Sequence, residues 1–283
     1  MKATSRSLSF TAFRKATAIA LLAIAAGSNS LTADVIATPS SSLNSDTWAL
    51  GDPNMAGYTS ALTNPAYFGP GGVVSTSITL SQQNTVNAAS LAGVDVFISP
   101  WWSDSQAGPS VTDVTNFFLS GGNLFLLQDD SGHDAIGAAL GIMSFTSAVN
   151  PITVTSPALA NGSFGAITTV NEHFTQGYLD GAAILANGGT IAATDALGRA
   201  TIGIWDYNDY ALGSGRMVIM ADVDLISTAG GADYSTLSSG AILGLNATEY
   251  LLGSSVPDTG SSLLLLLPAF LGLAAVGYRR RQA

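Results

Sequence analysis

The chain has 283 residues, room for one large domain or two small ones. It is 47% hydrophobic and 10% charged, a balance that excludes a disordered chain, and it has no cysteine, which excludes disulfides, thiolate metal sites and a thiol nucleophile. The formal charge of −10 conceals an uneven spread: from Asp34 to Ser255, 18 acids face only two cations, Arg199 and Arg216, which excludes a basic nucleic-acid surface.

Lys2, Arg6, Arg14 and Lys15 precede an apolar run from Ala16 to Ala26, and Leu31-Thr32-Ala33 ends in a small residue. This is the order of a secretory signal peptide over residues 1–33, cleaved by signal peptidase before Asp34. The run is shorter than the ~20 residues a bilayer span needs; an uncleaved N-terminal anchor is the alternative.

From residue 34 to about 253 the pattern alternates between strand and helix. Val35-Ile36-Ala37 reads as a short strand, Met55–Leu62 as a short helix and Val73–Leu80 as a half-exposed strand. Val94–Ser99 is a strand stopped by Pro100. Ser110 with Asp113 forms a capping-box pattern for a helix through Leu119, which Gly121-Gly122 ends. Leu124–Gln128 is continuous and apolar, as a buried strand is, and Ser131 with Asp134 predicts a cap for a helix from Asp134 to Leu140. Residues 150–189 are weakly patterned and read as irregular, with one or two short strands. Thr190–Ala193, Ala200–Trp205 and Met217–Ala221 read as strands, and Ser239–Leu252 as a closing helix. The alternation with short Gly-rich joints predicts one α/β domain over 34–253: three layers, a mostly parallel flavodoxin-like sheet and helices on both faces.

The segment Gln128-Asp129-Asp130-Ser131-Gly132-His133-Asp134-Ala135-Ile136-Gly137 resembles the nucleophile elbow of class I glutamine amidotransferases, Gly-x-Cys-x-Gly-His-Gln followed by Ala-Ile-Gly. Gly213-Ser214-Gly215-Arg216 running into Met217–Asp222 resembles the Gly-x-Gly-Arg-Val strand of amidotransferase-like and ThuA-like domains. The match puts Asp130 where the catalytic Cys would stand, beside Gly132 and His133, and Asp134 where Gln would be. The family's catalytic His lies near the domain end, two residues before a Glu; here the histidines are His133 and His173, and Glu172 directly precedes His173. A carboxylate is a poor nucleophile toward amides, so the resemblance implies a degenerate elbow without glutaminase activity.

Such an elbow can still bind, because ligands in open α/β sheets lie beyond the carboxyl ends of the strands. Asp129, Asp130 and Asp134 are expected to take up the N–H groups of the helix start and to repel anions, which favours a neutral glycan or a cation. Trp101 and Trp102, with Trp205 and Tyr207 (and Tyr210) after another strand, are candidates to stack on sugar rings; the alternative is that they pack loops onto the sheet. No cofactor is expected, with calcium as the exception to weigh at Asp206, Asn208 and Asp209 and at Asp222 and Asp224, all hard oxygen ligands. Asp206-x-Asn208 begins like an EF-hand loop but fails at Tyr210 and Met217. Paired carboxylates around Asp130 leave a glycosidase-like hydrolase open.

The tail, 254–283, begins with Val256-Pro257-Asp258-Thr259-Gly260, continues with an apolar segment of about 263–278, and ends in Arg279-Arg280-Arg281. This order resembles the PEP-CTERM class of bacterial sorting signals, in the Val-Pro-Asp-Ser-Gly variant, with Thr259 in place of Ser. The resemblance implies an exosortase-type protease as partner and a membrane-inserted C-terminal segment; an ordinary membrane anchor is the alternative. It further implies a Gram-negative bacterium, an inner-membrane precursor, and a final place in the cell envelope, on the outer surface or outside the cell, next to extracellular polysaccharide. The combined expectation is an exported binding or structural module, with a carboxylate hydrolase or a calcium-stabilised surface protein as alternatives.

Overall fold

A computed structural model describes residues 33–45, 47–171 and 176–253. The signal-like segment, Glu172, His173 and the sorting motif Val256–Gly260 lie outside the described residues.

The chain builds a nine-stranded sheet. Its first part comprises β1 (Asp34–Pro39), β2 (Ile78–Gln83), β3 (Val96–Pro100) and β4 (Asn123–Gln128). Between them stand α1 (Ala56–Leu62), the short α2 (Asp104–Ala107) and α3 (Val111–Leu119). After β4 come α4 (Ala135–Ala139), β5 (Ser144–Ala148), β6 (Ile152–Val154) and α5 (Pro157–Ala160). The two-residue strands β7 (Asn161–Gly162), β8 (Gly165–Ala166) and β9 (Thr169–Val170) follow, then β10 (Gln176–Leu179) and α6 (Gly181–Ala186). The chain closes with β11 (Thr190–Thr194), β12 (Ala200–Trp205), β13 (Met217–Ala221) and α7 (Ser239–Leu252).

The sheet order is β2-β1-β3-β4-β13-β12-β11-β6-β9. The five strands β2 to β13 are mutually parallel, in the order of the flavodoxin-like layout, and β12, β11, β6 and β9 continue it antiparallel. The α/β architecture with a large, mostly parallel central sheet is therefore the one the alternation predicts. Every residue of β3, β4, β12 and β13 is buried, as expected of strands covered on both faces. Alternate residues feed two cores. Ile36, Ile98, Phe125, Leu127, Val218 and Met220 face α1 and α7. Phe97, Leu124, Leu126, Met217 and Ile219 face α3, α4 and α6.

Four sequence expectations need correction. The second strand is Ile78–Gln83, shifted from Val73–Leu80, because its register is set by pairing Asp34–Pro39 rather than by its own alternation. Residues 150–189 are not irregular: they contain five short strands and two helices. Neither predicted capping box forms, since Ser110 and Asp134 make no side-chain cap, and α3 is entered directly from a preceding turn of helix. The cap of α4 comes from elsewhere, with Asp104 Oδ1 accepting from the Ala135 amide at 2.8 Å. The Asp134 carboxylate instead accepts from the Ser144 amide at 2.8 Å, tying β5 to the loop between β4 and α4.

Both ends of the described domain lie at the amino end of the parallel strands. Asp34 opens β1, and the Asn123 side chain at the start of β4 donates to Leu251 O at 3.0 Å in the last turn of α7. Arg216 holds that turn, donating to Tyr250 O at 2.8 Å and Gly253 O at 2.6 Å.

Candidate functional site

The carboxyl ends of β3 and β4 carry the candidate site. Asp130 sits in the hinge between β4 and α4, where the elbow resemblance puts it. The bend differs from a nucleophile elbow in one respect. Among the described residues, non-glycine positive φ angles fall at Thr47, Trp101, Ser147, Asn208 and Leu237, not at Asp130. The hinge is a six-residue loop closed by Asp130 itself, whose Oδ1 accepts from the Gly132 amide at 2.7 Å and lies 2.9 Å from His133 Nδ1.

Trp101 covers this loop. Its indole stacks on the His133 imidazole at 3.7 Å and 13°, meets Trp48 edge-on at 5.8 Å, and donates from Nε1 to Asp129 Oδ2 at 3.2 Å. Its backbone N–H donates to Leu127 O at 2.9 Å and its φ is 34°, a left-handed conformation that costs a bulky residue ~1–3 kcal/mol and that surrounding packing must enforce. Where the strand order reverses, between β1 and β3, the usual crevice is plugged. Asn44 Nδ2 donates to Pro100 O at 2.6 Å and Trp102 Nε1 to Leu43 O at 3.0 Å.

The carboxylates are electrostatically distinct. Burial raises the Asp129 pKa, with Asp130 and Asp224 adding to it against the Trp101 bond. Burial also acts upward on Asp130, but the His133 and Gly132 hydrogen bonds outweigh it and leave that carboxyl below the usual range. Asp222, 2% exposed and directly after β13, is pushed up to about 9 by burial and then by Asp129 and Asp224. Its Oδ1 accepts from the Asp224 amide at 2.8 Å, while Oδ2 is buried without a hydrogen bond.

The remaining sequence candidates separate. Trp102 is 2% exposed and packs on Phe97, and Trp205 is fully buried with Nε1 donating to Asn187 O at 2.9 Å; both are core residues, not sugar platforms. Because β12 runs antiparallel to β13, Trp205 and Tyr207 emerge at the opposite edge of the sheet from Trp101. Tyr207 lies there under the Arg216 guanidinium at 4.7 Å. The same reversal splits the calcium candidates. Asp206 pairs with Arg216 at 2.7 Å and Asp209 closes the turn on the Asp206 amide at 2.8 Å, with Asn208 accepting from Gly213 N at 2.8 Å. Asp222 and Asp224 stand at the other end of β13. Among the described residues no group of three or more His, Cys, Asp or Glu is placed to hold a metal ion.

One wall of the site was not legible in the sequence. β5 and β10 pair as an antiparallel ribbon and stand against the hinge. Gln128 Nε2 donates to Ser144 Oγ at 2.7 Å, and a Cβ on Gly177 would lie 2.1 Å from Asp129 O, so only glycine allows the ribbon this close. Gly137 of the Ala-Ile-Gly run lies equally close to the Gln128 side chain, which would have to move to admit a Cβ there. Between ribbon and hinge lies an open groove of about 580 Å³ lined by Asp130, Ser131, Asp134, Met143, Phe145 and Tyr178, among others. The available signal was Phe145, an aromatic set among Ser and Thr residues.

Fold and site thus define an α/β protein of flavodoxin-type strand order, with an Asp–His pair under a Trp lid at the strand-to-helix hinge. No family model matches the sequence, and no curated protein matches it. Among solved structures it is similar to the N-terminal domain of mmIFT52, at 12% identity and TM-score 0.43 over 64% of this chain and 86% of that one. It is also similar to a β-galactosidase from Rahnella sp. R3, at 13% identity and TM-score 0.45 over 86% of this chain. The match spans 35% of the galactosidase chain. A ThuA-like protein from Parabacteroides merdae is a distant structural neighbour, at 9% identity and TM-score 0.41 over 80% of this chain and 92% of that one.

Proposed function

We propose that the chain is an exported, exosortase-sorted protein of the bacterial cell envelope or extracellular space, and that its α/β domain is a non-catalytic binding module acting on surface or matrix polysaccharide. One observation carries the loss of catalysis. The side chain at the nucleophile's position is committed to structure, since Asp130 closes its own loop and holds His133, which Trp101 covers. A nucleophile is instead activated by a base that is free to act on it. Beside this closed hinge the groove remains open, so the domain retains a surface for a ligand. The two ends of the described domain, Asp34 and Leu251, lie at the opposite end of the parallel strands from this groove.

A second reading, a carboxylate hydrolase, draws on one observation: the neighbours Asp129 and Asp130 are shifted in opposite directions, as an acid and a carboxylate would need. One experiment separates them. The full chain is incubated with glutamine and with polysaccharides, and ammonia and new reducing ends are measured. The binding-module reading expects neither; turnover that disappears in Asp130→Asn overturns it in favour of the hydrolase. For sorting, Pro257→Ala is expected to hold the chain in the inner membrane of a host with an exosortase, and release equal to wild type would overturn that part.

A further inference from the structure

We infer that the β5–β10 ribbon is a carbohydrate platform: the stacked rings of Phe145 and Tyr178 carry a neutral oligosaccharide that runs across the ribbon from one groove to another. This rests on the binding-module reading and names the ligand class and the residues that hold it.

Phe145 points into solvent, 38% exposed, from a strand whose neighbours Thr146 and Ser147 are also exposed. A large aromatic on such a strand gains nothing from the core. Its ring instead stacks on Tyr178 at 5.2 Å and 25°. The Arg199 guanidinium lies over Tyr178 at 4.2 Å from the ring centre. Arg199 is itself fixed, donating from Nε to Asp195 at 2.8 Å and from Nη2 to Ser147 O at 2.7 Å. Ring, ring and guanidinium are therefore ordered before any ligand arrives, which removes much of the entropy cost of binding.

The pair forms a ridge between two openings. On one side is the hinge groove of about 580 Å³; on the other is a groove of about 420 Å³ lined by Asp180, Ile191, Gly198 and Arg199. Phe145 and Tyr178 line both. Apolar ring faces flanked by carboxylate acceptors and hydroxyl donors match a pyranose, whose C–H face is apolar and whose rim is hydroxyls. Two grooves joined by a ridge suit a chain of sugars better than one sugar.

The charge selects a neutral chain. The hinge side offers the Asp130 carboxylate, and the second groove that of Asp180. Among the described residues lining the two grooves the cation is Arg199, and it is neutralised by Asp195 at 2.6 Å. A uronic-acid polymer would meet repulsion on one side and no free cation on the other.

The test is calorimetry on the full chain in a detergent that carries no sugar, titrated with cellohexaose and laminarihexaose and with hexagalacturonate as the anionic probe. At least one neutral hexasaccharide is expected to bind and hexagalacturonate not to. Phe145→Ala and Phe145→Leu are each expected to weaken binding at least tenfold with a melting temperature lowered by no more than a few degrees, while Leu212→Ala, at an exposed position beyond the other end of the sheet, stays within about threefold. Silence from both neutral probes, or tight binding of hexagalacturonate, overturns the platform. So does binding that survives Phe145→Ala and is lost in Trp101→Ala, which would move the ligand to the hinge and leave the binding-module reading intact. That reading fails on a different result, the turnover dependent on Asp130.

Discussion

His133 lies flat against Trp101, ring centres 3.7 Å apart, and the edge of the same imidazole reaches Asp130 at 2.9 Å. A residue pair that in an active elbow would face a substrate here joins two loops, the one after β3 and the one after β4. The contact is an internal brace, and its consequences are measurable.

Trp101→Ala removes the stack, the edge contact with Trp48 and the hydrogen bond to Asp129. Aromatic pairs contribute ~0.5–1.5 kcal/mol each beyond burial, and relief of the left-handed backbone is not gained with Ala. A loss of about 2–3 kcal/mol is expected, read as a fall of roughly 4–12 °C in melting temperature at ~2–4 °C per kcal/mol. An unchanged melting temperature would show that the stack contributes nothing.

Asp130→Asn keeps an acceptor for the Gly132 amide and removes the charge facing His133. Because the folded pKa of Asp130 lies below its unfolded value, its charged form stabilises the fold above the unfolded pKa of ~3.9, and that stability is lost as pH falls through the folded value. Wild type should therefore exceed the variant in stability at pH 5–7, with the gap closing in strong acid. Thermal melts from pH 7 down to about pH 2 would contradict the stabilised carboxylate if the gap stayed constant into strong acid.

Asp222 has the opposite sign. Its pKa is raised to about 9, so the folded state keeps a proton that the unfolded state releases near ~3.9. Its contribution is complete below the unfolded pKa and declines as pH rises toward 9. Asp222→Asn keeps the bond from the Asp224 amide and removes the titration. The variant should lose less stability between pH 5 and 8.5 than wild type does, and melt a few degrees higher at pH 8. Parallel pH profiles for the two proteins would refute the buried acid.

Arg216→Ala takes away the ion pair to Asp206, the bonds to Tyr250 O and Gly253 O, and the ring contacts with Tyr207 and Tyr250. Hydrogen bonds from a charged donor are worth ~1.5–3 kcal/mol each, so about 2–4 kcal/mol should be lost after relaxation. Hydrogen exchange should accelerate first at residues 250–253. Uniform acceleration across α7 would mean that the clamp is not local.

Much of the fold was legible in the sequence because its signals are local. Ala200–Trp205, Met217–Ala221 and Ser239–Leu252 coincide with their predicted spans. Asp130 falls between strand and helix because Gln128 closes an apolar run and Ala135 opens a helix. The caps were misread because the matching Ser–Asp spacing says nothing about a rival partner such as Asp104, 31 residues earlier.

The sequence by itself determined the layers, the acidic character of the domain, the position of the hinge and the absence of a thiol there, since each follows from residue type and short-range order. Only the tertiary structure decided which groups share a site. Strand direction is invisible in a period-two pattern, so nothing in Ala200–Trp205 announces that β12 runs against β13 and carries Trp205 and Tyr207 to the far edge. The β5–β10 ribbon is equally hidden, because it pairs residues about 30 apart whose approach depends on the missing side chain of Gly177 beside Asp129.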